Sequence, residues 1–288
     1  MLNFSASQYN IRKQTQSQHG RSYFPLAENK GKKKMKFDKL YQILLFLSFI
    51  FVLYSANVAE SANLAKNRRK HFRSPLDLQG CVLWLDAADA STITIGTGVS
   101  QWDDKSPSAN HATQGTGANQ PAYTTGQYLT FDGSTSYMTS TFSSALSQPA
   151  TYFIVHKWND AITNQKIMID GIGAVNRNAI YRDASARNYA MYSNAVFNSG
   201  TLQNTDNHII MCVFNSASSK FSIDNGAEAT GNSGTLGVDG LTIGSSYAPS
   251  LFFIGNISEI IVYDSVLTAA ERKQIYTYLA NKWGISID

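Results

Sequence analysis

The sequence predicts an all-β fold, a two-sheet antiparallel sandwich with one C-terminal helix, and three observations carry that expectation. From Gly80 onward, short runs of β-branched and aromatic residues recur between polar, glycine-bearing breaks: CVLWLD, YLTFDG, ATYFIVHKW, KIMIDG, NAIYRD, NYAMYS, HIIMCVFN, KFSIDNG, LTIGS and SEIIVYD. Asp132-Gly133, Asp170-Gly171, Asn225-Gly226 and Asp239-Gly240 follow such runs, where residues tolerant of positive φ close tight hairpins. Only LTAAERKQIYTYLANKWG has convincing helical spacing.

In chain order, residues 1–34 are a polar, basic leader. Residues 35–62 have the layout of a secretory signal: a Lys-rich flank, an apolar run from Ile43 to Tyr54, then small residues at Ala56, Ala59 and Ala62. The run has about a dozen residues, short of the roughly 20 that a spanning helix needs. A cleaved signal is therefore expected, and a signal-anchor held in the membrane by residues 43–54 is the alternative; translation from Met1 or from Met35 fits either. Residues 63–78 form a basic linker containing KNRRKHFR, and residues 79–288 are expected to be one folded domain.

Charge is divided along the chain. Of 24 Lys/Arg and 20 Asp/Glu, the first 78 residues hold 14 and 4, leaving 10 and 16 for the domain. A mildly acidic domain lacks the basic surface that nucleic acid demands. Its expected partners are a glycan or a cell-surface protein, with membrane contact only through an uncleaved apolar segment, and its expected location is secreted or cell-surface.

Within the domain, KFSIDNG alternates Phe221 and Ile223 with polar neighbours, the pattern of a strand with one wet face, whereas TYFIVHKW is apolar on both faces, as in a covered central strand. Cys81 and Cys212 both sit in apolar runs, so an export-compatible disulfide and two buried thiols are both open. The helix is expected over residues 269–282: Thr268 and Glu271 make a capping box, and Gly284 supplies the stop.

LWLDAADASTITIGTGVSQWDDKSPSANHATQ, LTFDGSTSYM and GNISEIIVYDSVLTAAERKQIYTYLANKWGI, in that order, resemble the laminin-G-like, concanavalin A-like lectin/glucanase jelly-roll domain. The resemblance covers Leu78 to Ile285. It implies two stacked antiparallel sheets, the strand VLWLD beside the late strand EIIVYD, and an apolar seat for Trp102. It also implies binding to carbohydrate or protein surfaces, sometimes through calcium, with hydrolases among the members.

Candidate sites follow from residue chemistry. In QWDDKSPSANHATQ, Asp103 and Asp104 are hard oxygen ligands, and calcium is the one cofactor they suggest; Ser106, Pro107, Ser108 and Asn110 otherwise read as turn formers. The Glu-x-Asp-x-x-Glu strand pattern of laminarinase-type members is missing, and beyond Gly80 only Glu228, Glu259 and Glu271 remain as glutamates. Tyr181, Arg182, Asp183, Tyr189 and Tyr192 surround one expected hairpin and supply rings to stack on sugar faces beside hydrogen-bonding groups, although such tyrosines also pack ordinary sheets. The expected function is thus a non-catalytic recognition module. A glycoside hydrolase with an unrecognised carboxylate pair, and a structural surface or assembly domain, are the alternatives.

Overall fold

The computed structural model describes residues 39, 41–55 and 72–288. The basic leader, the expected cleavage region and most of the basic linker lie outside these residues. Residues 41–55 form a helix whose side chains are exposed. Among the described residues, no helix is long and apolar enough to cross a membrane.

His71–Asp288 is a separate compact unit. Its strands are β1 (Cys81–Asp86), β2 (Ile93–Ile95), β3 (Val99–Trp102), β4 (Ala112–Thr113), β5 (Ala122–Thr124), β6 (Tyr128–Asp132), β7 (Met138–Leu146), β8 (Ala150–Trp158) and β9 (Lys166–Asp170). They continue as β10 (Ala179–Arg182), β11 (Asn188–Tyr192), β12 (Val196–Leu202), β13 (Asn207–Phe214), β14 (Ser219–Ile223), β15 (Ala229–Gly231), β16 (Val238–Ile243) and β17 (Ile254–Tyr263). The first sheet runs β15-β14-β13-β8-β17-β6-β5, with β1 also on β17; the second runs β12-β11-β10-β9-β16-β7-β4-β3-β2. Every ladder is antiparallel, and β1 lies against β17 with Cys81 opposite Tyr263 and Asp86 opposite Glu259, the pairing of VLWLD with EIIVYD that the resemblance implied.

The main core lies between the sheets. Trp102, Phe131, Tyr152, Trp158, Tyr189 and Phe221 are all essentially inaccessible there. Each such side chain contributes about 1.5–3 kcal/mol by burial, so the stacking of the two sheets dominates the stability of the sandwich. A second apolar layer covers the other face of the first sheet. There Phe153, Ile209, Met211, Ile261 and Tyr263 meet Ile275, Tyr276 and Leu279 of the C-terminal helix, Ala269–Trp283. β8 is buried on both faces as expected. The face expected to be wet in β14 is only partly so: Lys220 keeps some exposure, but the helix covers Ser222, which is buried and shares a 2.7 Å hydrogen bond with Tyr276 Oη.

Local chemistry sets the helix ends. The Thr268–Glu271 capping box satisfies amides at the start, and Gly284 takes a left-handed φ of 66° at the stop, a conformation that glycine adopts without a Cβ clash. Gly133, with φ 76°, turns the chain after β6. Asp239-Gly240 makes no hairpin: both residues lie inside β16, where the ladder to β7 shifts register. Asp170-Gly171 opens a loop that runs to β10 rather than a tight turn. Cys81 and Cys212 are free and buried in different apolar layers, so they do not bridge.

Candidate functional site

The residues picked from the sequence divide between the faces of the second sheet. Tyr189 faces the inter-sheet core, where its hydroxyl lies 2.9 Å from His156 Nε2. Burial, with His208 nearby, pushes the His156 imidazole down to about 3, which leaves it neutral in the core. Arg182, opposite Tyr189 in the β10–β11 ladder, is also fully buried. Its guanidinium lies over Trp158 and bonds to Asp160, to Asn164 and to Gln203 Oε1. These two side chains plug one region of the interior and are closed to a soluble ligand.

Tyr181 and Tyr192 belong to a separate apolar cluster, with Ile167, Ala179 and Ala190, on the outer face of the second sheet. The strand period explains the division, because neighbouring residues point to opposite faces. Asp183 leaves β10 and caps the following loop, accepting from the backbone of Ser185 at 2.7 Å and of Ala186 at 2.8 Å, and from Asn198 at 2.6 Å. Burial acts to raise its carboxyl, but these donors hold it below its ordinary value.

Beside Tyr181 and Tyr192 stands a residue that no sequence pattern marks. Arg177, in the loop between β9 and β10, lies over the Tyr192 ring at 5.0 Å and over the Tyr247 ring at 4.7 Å. Asp170, at the end of β9 and fully buried, holds it in a fork: Nε donates to Oδ1 at 3.0 Å and Nη2 to Oδ2 at 2.7 Å. The amides of Gly171 and Tyr247 also donate to Asp170, at 2.8 and 3.0 Å. A bidentate fork fixes both position and plane of the guanidinium. Arg177 Nη1 makes no hydrogen bond among the described residues. Arg177 borders a cavity of 310 Å³ lined also by Gln165, Ile167, Ala179, Tyr181, Tyr192 and Val196. This cleft joins aromatic faces, a fixed donor and an amide, the combination that sugars require.

Asp103 and Asp104 do not converge. Asp104 is buried, and both its oxygens face donors: Trp84 N at 2.7 Å, Ser106 N at 2.8 Å, Ser106 Oγ at 2.6 Å and Asn110 N at 2.8 Å. Donor hydrogens surround a carboxylate already in use, so Asp104 is a loop organiser and does not suit a calcium ion. Asp103 turns toward Gln101 and His111. Among the described residues no three His, Cys, Asp or Glu side chains gather as a metal site. Trp102 is fully buried in the core behind this loop.

The sheet pairing brings together two carboxylates far apart in sequence, Asp86 and Glu259, under the C-terminal helix. Lys282 Nζ bridges them, 2.5 Å from Asp86 Oδ1 and 2.8 Å from Glu259 Oε2. Glu259 also accepts from Trp84 Nε1, Tyr278 Oη and Trp283 Nε1 at 2.7, 3.0 and 2.7 Å. Burial pushes the Glu259 carboxyl up; Lys282 opposes this and the Asp86 charge adds to it. Only the register of β1 on β17 makes this pair.

No protein-family model matches the chain, and no curated protein does. Solved structures do. The chain is similar to a Trypanosoma rangeli sialidase, with TM-score 0.52 and 14% identity over 73% of this chain and 34% of that one. It is similar to a Trypanosoma rangeli sialidase in complex with sialic acid, with TM-score 0.50 and 13% identity over 73% and 34%. Domain 4 of a GH43 extracellular arabinanase from Geobacillus stearothermophilus, in complex with arabinotriose, matches with TM-score 0.50 and 13% identity over 70% of this chain and 98% of that domain. At such identities the likeness defines a class of fold, the two-sheet antiparallel β-sandwich. The chain spans about a third of the length of the sialidases and nearly all of the arabinanase domain.

Proposed function

We propose that the chain is an exported, non-catalytic recognition module of the laminin-G-like, concanavalin A-like class, and that it binds glycan in the Arg177 cleft. The observation that carries this reading is the fork from buried Asp170, which holds Arg177 against the rings of Tyr192 and Tyr247 beside an open cavity. A guanidinium held in this way loses little freedom when a ligand hydroxyl accepts from it. Tyrosine faces nearby give the apolar side of a sugar ring a surface to cover. A sandwich domain of similar fold binds arabinotriose, which supports a short oligosaccharide as the ligand class here. The apolar run at 43–54, preceded by lysines and followed by small residues, supports delivery outside the cell, and residues 79–288 are the module delivered.

Recognition is favoured over hydrolysis by the state of the carboxylates. The pair that the β1–β17 ladder brings together, Asp86 and Glu259, is bridged by Lys282, and both Glu259 oxygens are taken by indole, phenol and ammonium donors. A glycosidase needs one such group free to give a proton and the other free to attack or to activate water.

A glycan array probed with the purified protein, with and without chelator, tests the reading. Binding that is unchanged by chelator and lost in Tyr192→Ala supports it. Release of product from bound oligosaccharide, or no binding to any glycan, would refute it.

A further inference from the structure

The cleft contains an arginine, and an arginine invites an acidic ligand; the surrounding charges argue otherwise. We propose that the Arg177 cleft selects neutral sugars and rejects those carrying a carboxylate, an inference that rests on the glycan reading above. The guanidinium charge is already matched, because Asp170 lies in bidentate contact and has no exposure of its own. Among the described residues lining the cavity, Arg177 is the sole cation.

No other charged side chain lines the cavity among the described residues; the neighbouring segments carry Lys166 as well as Asp183 and Asp239. Asp183 follows Tyr181 and Arg182 at the end of β10. Asp239 accepts from Asn176, the neighbour of Arg177, at 3.3 Å, and its other oxygen is buried with no partner among the described residues. A carboxylate entering this cleft would shed water and meet no unspent positive charge, which is costly. A neutral hydroxyl or ring oxygen needs only the one donor that Nη1 offers. The volume of 310 Å³ lies at the small end of ligand pockets, roughly 300–1,000 Å³, and suits the end of an oligosaccharide rather than an extended chain.

Calorimetric titration with neutral gluco-, xylo- and manno-oligosaccharides and with oligogalacturonates of equal length tests this. We expect at least one neutral probe to bind, every acidic probe to bind at least about tenfold more weakly, a difference of about 1.4 kcal/mol, and 0.5 M salt (about three times physiological ionic strength) to leave neutral binding unchanged. Asp170→Asn frees the Arg177 charge and should narrow the ratio about tenfold toward the acidic probes; Arg177→Gln leaves Asp170 unmatched and should widen it. Wild-type preference for oligogalacturonate, or a ratio unmoved in a folded Asp170→Asn protein, would overturn the inference. If Asp170→Asn does not fold, wild-type salt dependence decides: acidic binding that outcompetes neutral binding at low salt overturns it. Failure of every probe, acidic and neutral, would instead sink the glycan reading beneath it.

Discussion

On the outer face of the first sheet, Glu259 accepts from Trp84, Tyr278, Lys282 and Trp283. On the outer face of the second, Asp170 likewise meets four donors: Gly171, Tyr247 and two from Arg177. Both carboxylates are fully buried and both are held against a cation. They differ in what the cation has left to give. Lys282, on the C-terminal helix, spends its ammonium on Asp86, Glu259 and Tyr278 Oη, whereas Arg177 Nη1 makes no hydrogen bond among the described residues. A buried charge pair therefore says little about function until its remaining donors are traced. When all are consumed internally the pair fastens a helix to a sheet, and when one is left over at the surface the pair aims it.

Large effects should come from breaking the sealed side. Glu259→Ala removes the acceptor of four donors and strands Lys282 beside a single carboxylate, so it should cost about 3 to 5 kcal/mol in denaturant unfolding. Trp102→Ala, in the core between the two faces, should cost a similar 3 to 5 kcal/mol or so, with or without chelator, since nearby Asp104 serves the loop and not a metal. A melting temperature that falls when chelator is added to wild type would restore calcium to this loop.

Arg177→Ala tests the open side. It leaves the fully buried Asp170 without its cation, so although the amides of Gly171 and Tyr247 remain, the loss should also be about 3 to 5 kcal/mol. Denaturant unfolding of Glu259→Ala and Arg177→Ala side by side should therefore give losses of similar size; a loss under about 1 kcal/mol for Arg177→Ala would mean that the two amides alone satisfy Asp170.

The pH dependence of the sealed pair has a definite sign. Glu259 in the folded protein holds its proton more tightly than the ordinary value of 4.5, so folded protein binds more protons than unfolded protein in the window above about 4.5. Stability from this group is present at low pH and is lost as pH rises through the folded value. Glu259→Gln cannot titrate, so the advantage of wild type over this variant should be greatest near pH 4.5 and shrink toward neutrality in thermal unfolding followed across that range. An advantage that grows with pH would show that Lys282 dominates burial.

How much of this could be read in the sequence follows from the range of the interactions. Strand runs, the capping box at Thr268 and the stop at Gly284 are local, and each is where the residues implied. Period-two alternation also separates Tyr181 from Arg182, which makes a single ligand face from Tyr181, Arg182 and Tyr189 together impossible on these strands. Asp239-Gly240 has turn chemistry, but its ladders to neighbouring strands override it. The Asp86–Glu259 pair exists only through the register of β1 on β17, which no local pattern encodes. Arg177 lies in a loop without periodicity, and its partner rings come from β11 and from the segment after β16. Tracing charges to their partners requires the fold first.

The smallest effect on stability should accompany a large one on binding. Tyr247 is 36% exposed, and its ring, like that of Tyr192, lies against the Arg177 guanidinium. Tyr247→Ala keeps its backbone amide, so Asp170 retains all four donors and the fork is not opened. Surface truncations of this kind cost within about 0.5 kcal/mol, and removing a cation–π interaction at an exposed site adds roughly 0.5–1 kcal/mol. Binding should suffer more, because an arginine that has lost one of its two ring contacts no longer holds Nη1 in a single orientation. We expect affinity for a neutral oligosaccharide to fall about tenfold, a loss of about 1.4 kcal/mol, with Tyr247→Phe restoring it, since the ring and not the hydroxyl covers the guanidinium. Loss of stability equal to that of Arg177→Ala, or full binding by Tyr247→Ala, would remove this tyrosine from the open face and reduce the difference between the two sides of the sandwich to the helix alone.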